Sequence, residues 1–212
     1  DADGRDAYES MVRSQGHGFV GGVGWLSDTK GDDAFICRHH QDGPLVYPAP
    51  QLPGEAQASL CQGAGFGFRN GDPAYALSGG FGVLTDQAGD DVYEAEVYGQ
   101  GVGYWQGIGL LSDRAGDDVR RVLYYGQGAG VHFGVGVMID RAGRDAYEGD
   151  ATLSLGAGHD FGLGLALELD GDDVYALGPN GGGGGSCGGL GVLWDARGND
   201  TYQLSGPGLG RA

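Results

Sequence analysis

The strongest constraint on this chain is a repeat. Residues Val135-Gly136-Val137-Met138-Ile139-Asp140-Arg141-Ala142-Gly143-Arg144-Asp145-Ala146-Tyr147 follow the pattern G-x-x-x-D-x-x-G-x-D-x-Y, and it returns along the whole sequence. Its first acid falls at Asp1, Asp28, Asp86, Asp113, Asp140, Glu168 and Asp195. Four of the six steps are 27 residues, one is 28, and the step from Asp28 to Asp86 is 58. A unit of this size cannot bury a core alone, so a fixed period implies stacked repeats sharing one continuous core. Residues 1–212 therefore read as a single domain.

The local pattern decides what is stacked. Glycine recurs at every second position in short runs, as at Gly22 and Gly24, Gly107 and Gly109, and Gly134 and Gly136. That is the pleat of a strand, whereas collagen needs glycine at every third residue. Between the glycines lie Val23/Trp25, Phe81/Val83, Ile108/Leu110, Val135/Val137, Leu163/Leu165 and Leu190/Val192. Such alternation gives a strand one apolar and one bare face. Asp-x-x-Gly then fits a tight turn. Asp-x-Tyr supplies a second strand, and the Gln-Gly-x-Gly segment at Gln15, Gln62, Gln100 and Gln127 a third. No segment has a helical period. The expected fold is all-β: a parallel β-solenoid of about seven coils, about 27 residues and three short strands each. At about 4.8 Å per coil the rod is on the order of 35 Å long.

One coil is interrupted. About 20 extra residues lie in His39–Leu60 and about 11 in Phe66–Ser78. Four of the seven prolines fall at 44–53, and proline cannot donate to a ladder, so the chain is expected to leave the coil here. The insertions 39–60 and 66–78 should form one side lobe. Cys37 and Cys61 bracket the first and are expected to close it as a disulfide, worth about 3 kcal/mol in the entropy model. Cys187 is left over.

Parallel coils turn each sequence column into a ladder. The second acid is Asp6, Asp33, Asp91, Asp118, Asp145, Asp173 and Asp200. A third column between the two reads Arg5, Asp32, Asp90, Asp117, Arg144, Asp172 and Asn199. Carboxylates about 4.8 Å apart repel by roughly 3–4 kcal/mol at an effective dielectric of 20. They need donors, protons or cations. One arrangement uses the first acid to cap its turn and the second to accept backbone N–H groups; the other uses bound Ca²⁺, which takes six to eight hard oxygens. The aromatic column Tyr8, Phe35, Tyr93, Tyr147, Tyr175 and Tyr202 reads as a core or rim stack. It is broken at Arg120, expected to pair with Asp117 and Asp118.

Gly31-Asp32-Asp33-Ala34-Phe35, Gly89-Asp90-Asp91-Val92-Tyr93, Gly143-Arg144-Asp145-Ala146-Tyr147, Gly171-Asp172-Asp173-Val174-Tyr175 and Gly198-Asn199-Asp200-Thr201-Tyr202 share G-x-D-x-U, where U is a large apolar residue. This segment resembles the calcium-binding repeat of RTX proteins. The resemblance covers about five residues per unit. It implies Ca²⁺ held between turns by the aspartates, with the large residue facing the core. The candidate ligands are Asp28, Asp33, Asp86, Asp91, Asp113, Asp118, Asp140, Asp145, Glu168, Asp173, Asp195 and Asp200.

The net charge of −17 argues against nucleic acid, whose phosphates call for Lys and Arg. No apolar run of about 18 residues is present to span a bilayer. The chain opens on Asp rather than Met, which is expected of a mature exported protein at the cell surface or outside it. No Ser-His-Asp order, no phosphate loop with its lysine and no H-E-x-x-H occurs. The leading expectation is a structural protein whose partner is a further copy of itself, stacked head to tail into a filament. The alternative is a polysaccharide-binding or polysaccharide-degrading solenoid acting through the lobe, with His39, His40, Tyr47, Arg69 and Tyr75.

Overall fold

The computed structural model describes residues 1–69 and 76–212, with backbone only at Ala151. It is a parallel β-solenoid of three sheets and about seven coils, and no helix occurs among the described residues. The first sheet stacks β1 (Ala7–Ser10), β4 (Ala34–Cys37), β7 (Val92–Gly99), β10 (Val119–Gly126), β13 (Ala146–Thr152), β16 (Val174–Leu177) and β19 (Thr201–Leu204). The second stacks β2 (Gly18–Phe19), β5 (Gly65–Phe66), β8 (Gly103–Tyr104), β11 (Gly130–Val131), β14 (Gly158–His159) and β17 (Gly185–Ser186). The third stacks β3 (Val23–Ser27), β6 (Phe81–Thr85), β9 (Ile108–Ser112), β12 (Val135–Asp140), β15 (Leu163–Glu168) and β18 (Leu190–Asp195). Like pairs with like: Gly136 registers with Gly109 and Gly164, and Tyr147 with Arg120 and Tyr175.

The third sheet turns its glycine-bearing face inward. In β12, Gly136, Met138 and Asp140 are buried while Val135, Val137 and Ile139 are half-buried on the outside. A Cβ on Gly136 would lie 2.0 Å from the Ala129 carbonyl oxygen, so second and third sheets meet backbone to backbone. Only glycine allows that approach. The outer face is correspondingly apolar, with Val23, Trp25, Ile108, Leu190 and Trp194 exposed.

The core has two parts. Leu84, Leu111 and Met138 of the third sheet pack on Phe35, Tyr93, Tyr147 and Tyr175 of the first. Ala64, Phe66, Val102, Tyr104, Ala129 and Val131 pack on Val97, Tyr98 and Tyr125. The corner before the second sheet is made by Gln15, Gln62, Gln100 and Gln127, all at positive φ. Each points its amide into the coil. Gln100 Nε2 donates to the Tyr93 carbonyl at 3.1 Å and to Arg121 in the next coil at 2.8 Å. Gln62 does the same to Phe35 and Glu94. The corner after the second sheet places non-glycine pairs in the left-handed region: Trp105-Gln106, His132-Phe133 and Asp160-Phe161.

The insertions are shorter than their sequence limits. Phe66 stays in the coil, paired with Tyr104, and Ala58 already pairs in parallel with Val97. The excursion proper returns through an antiparallel Pro48–Gln57 bridge and buries Ala49 and Ala56 against the second core. Phe68 and Leu77 pair antiparallel at the base of the second insertion. Cys37 and Cys61 are joined as a disulfide, and Cys187 is free and exposed.

Candidate functional site: the acidic interior

The two inner acid columns flank the turn between the third and first sheets, and from Asp28 to Asp173 they are buried. The tight turn brings them together, and its glycine is forced: a Cβ on Gly89 would sit 1.5 Å from the Gly31 carbonyl oxygen. In the first column, one oxygen caps the turn. Asp28 Oδ1 accepts the amides of Thr29 and Lys30, and Asp86, Asp113 and Asp140 accept those of Ala88, Ala115 and Ala142. In the second column, one oxygen accepts the amide of the preceding coil's aspartate. Asp6 donates to Asp33, Asp33 to Asp91, Asp91 to Asp118, Asp118 to Asp145, Asp145 to Asp173 and Asp173 to Asp200, at 2.7–3.0 Å. The exposed third column runs the opposite way. Asp90 donates back to Asp32, Asp117 to Asp90, Arg144 to Asp117 and Asn199 to Asp172.

The remaining first-column oxygens face the aromatic column, a stack buried from Phe35 to Tyr175, with ring centroids 4.8 Å apart for Tyr8–Phe35 and 4.9 Å for Phe35–Tyr93. From Tyr8 to Tyr175, each phenol reaches the first acid of the next coil. Tyr8 donates to Asp28 at 2.6 Å, Tyr93 to Asp113 at 2.6 Å, Tyr147 to Glu168 and Tyr175 to Asp195 at 3.0 Å. Two coils lack the phenol, and they solve the problem differently.

In one, Arg120 replaces tyrosine. Its guanidinium is fully buried and lies between the rings of Tyr93 and Tyr147, 5.0 and 5.4 Å from their centroids. It contacts Asp113 at 3.1 Å, Asp118 at 2.7 Å, Asp140, and Asp145 at 3.5 Å. The expected partner Asp117 is not among them. Asp117 belongs to the exposed column and meets Arg144 instead, because alternate residues on the turn face opposite ways. In the other coil, Phe35 has no hydroxyl. Asp86 Oδ2 is left buried without a partner, and so is Asp33 Oδ2 beside it.

Burial sets the protonation. It raises Asp86 to about 7, helped by Asp113, and Asp91 to about 8 against the amide bond from Asp33. Glu168 is raised to about 9 by burial and then by Asp140, and Asp173 to about 6. Asp28 goes the other way: burial opposes its charge, but the Tyr8 hydroxyl and the Thr29 and Lys30 amides outweigh it and lower its pKa.

The acids form groups whose carboxylate oxygens lie within 4.8 Å of one another and can hold a metal ion: Asp28/Asp33/Asp86, Asp91/Asp113/Asp118, Asp118/Asp140/Asp145 and Asp173/Asp195/Asp200. Glu168 joins none of these groups. In the second group Tyr93 reaches Asp113 and Arg120 reaches Asp113 and Asp118; Arg120 occupies the third; the Tyr175 and Tyr202 hydroxyls occupy the fourth.

The lobe residues separate. His39 and His40 line a cavity of about 600 Å³ with Glu9, Arg38 and Glu96, where His39 Nδ1 is 2.6 Å from Glu96. Tyr47 and Arg69 do not line it. Tyr47 lies under Arg13, while Arg69 lies over Trp105 and bonds His132 at 2.9 Å. Tyr75 lies outside the described residues. The neighbouring contacts of His132 with Asp160 and of His159 with Ser186 come from two adjacent columns, which the repeat alone does not flag.

No family model, curated protein or solved structure matches this chain. Fold and site define the class: a three-sheet parallel β-solenoid repeat protein with an acidic, phenol-lined interior.

Proposed function

We propose that this solenoid is a structural element outside the cell that extends by adding further copies of itself end to end. The observation that carries the reading is the pair of opposed ladders at the turn. The inner ladder sends each aspartate amide to Oδ1 of the next coil's aspartate, from Asp6 through Asp173 to Asp200, so the Asp6 carboxylate accepts no ladder amide and the Asp200 amide has no ladder acceptor within the chain. The outer ladder runs backwards, from Asn199 toward Asp32. In a second copy, the Asp200 amide finds Asp6 and the Arg5 amide finds Asn199, so each end supplies what the other accepts. Tyr202 agrees: it turns back to Asp195 of its own coil, where other phenols cross to the next. Edge strands of all three sheets offer the same parallel pairing. A contact of this kind does not close, so it propagates. The outward apolar face of the third sheet supports lateral packing of such rods. The Cys37–Cys61 disulfide supports an oxidising compartment. The acidic interior is part of the same reading, with Ca²⁺ as the cation that suits stacked carboxylates.

Sedimentation velocity over a hundredfold concentration range tests assembly. The expected result is a series of growing species for the native chain and one small species for Asp6→Lys, which places a cation where the incoming amide must bond. A single species for the native chain at every concentration overturns the proposal.

A further inference from the structure

We infer that the niche among Asp28, Asp33 and Asp86 is a site for one divalent cation per chain, created by Phe35. The inference deepens the reading of the acidic interior and narrows it to one place. In the first acid column, Asp28, Asp113, Glu168 and Asp195 each take a phenol, and Asp140 takes the Arg120 guanidinium. Asp86 alone has neither, because the residue that should reach it is Phe35. Its Oδ2 and the Oδ2 of Asp33 are unpartnered in side chains only 2% exposed; Asp145 Oδ2 and Glu168 Oε1 are also unpartnered, but among the described residues no other three-carboxylate group holds two such atoms. Both belong to the group whose oxygens, with Asp28, lie within 4.8 Å of one another.

An unpaired carboxylate oxygen away from water costs several kcal/mol unless something meets it. The molecule itself shows which partner fits. Two coils away the column again lacks its phenol, and there a cation fills the same space with four carboxylates around it. Next to Phe35 the N-terminal ammonium, 3.3 Å from Asp28 Oδ2, leaves Asp33 Oδ2 and Asp86 Oδ2 unpartnered, and no side chain supplies that charge. A hard cation coordinated by carboxylate oxygens does, with Asp33 Oδ2 and Asp86 Oδ2 as the free ligand atoms and Asp28 as the third carboxylate. The ion would tie two successive coils, since Asp28 and Asp33 flank one turn and Asp86 belongs to the next, over the disulfide-closed excursion. Binding at a buried site of this kind is coupled to folding and appears as thermal stability.

The test uses the full chain stripped with a chelator, titrated with Ca²⁺ and in parallel with Mg²⁺ at pH 7.5 by calorimetry, with melting temperature as a second readout. Phe35→Tyr is the main variant. It restores the residue found at this position in five other coils, so it folds and gives Asp86 its donor. Asp86→Asn is the second, removing a ligand charge without changing shape. The expected result is one ion per native chain and a rise in melting temperature of several degrees, both at least tenfold weaker in affinity or absent in the two variants. In chelator, Phe35→Tyr should melt no lower than the native chain. Equal binding by Phe35→Tyr overturns the inference. Several ions per chain overturn the single niche while leaving a cation-holding interior. No binding at millimolar Ca²⁺ or Mg²⁺ overturns both, and means the niche is satisfied by a proton.

Discussion

Replacing Arg120 by methionine separates a charge-balanced interior from a merely packed one. Methionine fills much of the same volume between Tyr93 and Tyr147 but leaves Asp113, Asp118, Asp140 and Asp145 without their cation. Removing one partner of a buried ionic group costs about 3–5 kcal/mol, and two lost ring–guanidinium contacts add about 1 kcal/mol or more. For a chain of this length, about 2–4 °C of melting temperature accompanies each kcal/mol, so a loss of roughly 8–24 °C is expected. Arg120→Tyr restores the column and one donor to Asp140. It should cost about 1 kcal/mol or less, because Tyr93 and Tyr147 serve the same purpose in neighbouring coils. The sign of the pH dependence is fixed. Burial raises Asp118, Asp140 and Asp145, and Arg120 draws them part of the way back toward ionisation, so its stabilisation is present where they are ionised and fades as they protonate. The methionine penalty should therefore be larger at pH 8 than at pH 5. Denaturant melts of the three proteins at both pH values measure it. A penalty under about 1 kcal/mol at pH 8, or one that grows on acidification, would refute the reasoning.

The native chain in chelator should be more stable at pH 5 than at pH 8. Asp86, Asp91 and Glu168 have folded values raised to about 7, 8 and 9, so the native state holds protons the unfolded chain has released, and stability falls as pH rises through those values; a melting temperature that climbs from pH 5 to 8 contradicts this. Gly136→Ala should prevent folding or cost about 3 kcal/mol or more, since its Cβ meets the Ala129 carbonyl at 2.0 Å and backbone cannot step aside; soluble yield and circular dichroism report it. Gln100→Leu should cost about 2 kcal/mol by stripping two carbonyls of their donor, with shape kept because Leu155 occupies the equivalent corner; chemical denaturation checks it. Reducing the Cys37–Cys61 bond should lower stability by about 3 kcal/mol, seen as a lower melting temperature in reductant.

The coil, its three strands and the long step between Asp28 and Asp86 were all legible, because a solenoid writes each spatial column as a sequence column. Both structural roles of the acids were legible too, in the turn cap at Asp28 and the amide acceptor at Asp33. What hid was relational. Phe35 reads as a harmless aromatic substitution until the phenol of every neighbour is seen to serve the next coil's acid. Arg120 was visible as a break, but which acids it meets depends on which way each turn residue points, and that separates Asp118 from Asp117. The left-handed pairs such as His132-Phe133 carry no glycine signal, since the stacked corner imposes the conformation against local preference. The lobe looked like one site because its residues are close in sequence; the chain sends His39 to the first sheet and Arg69 to the second-sheet corner beside Trp105.

X-ray fibre diffraction from concentrated native protein tests the central claim most directly. End-to-end stacking of this solenoid predicts an axial reflection near 4.8 Å from the coils and a longer axial repeat of about 34 Å from one seven-coil chain. Isotropic scattering from discrete particles, with no axial order at any concentration, would contradict it.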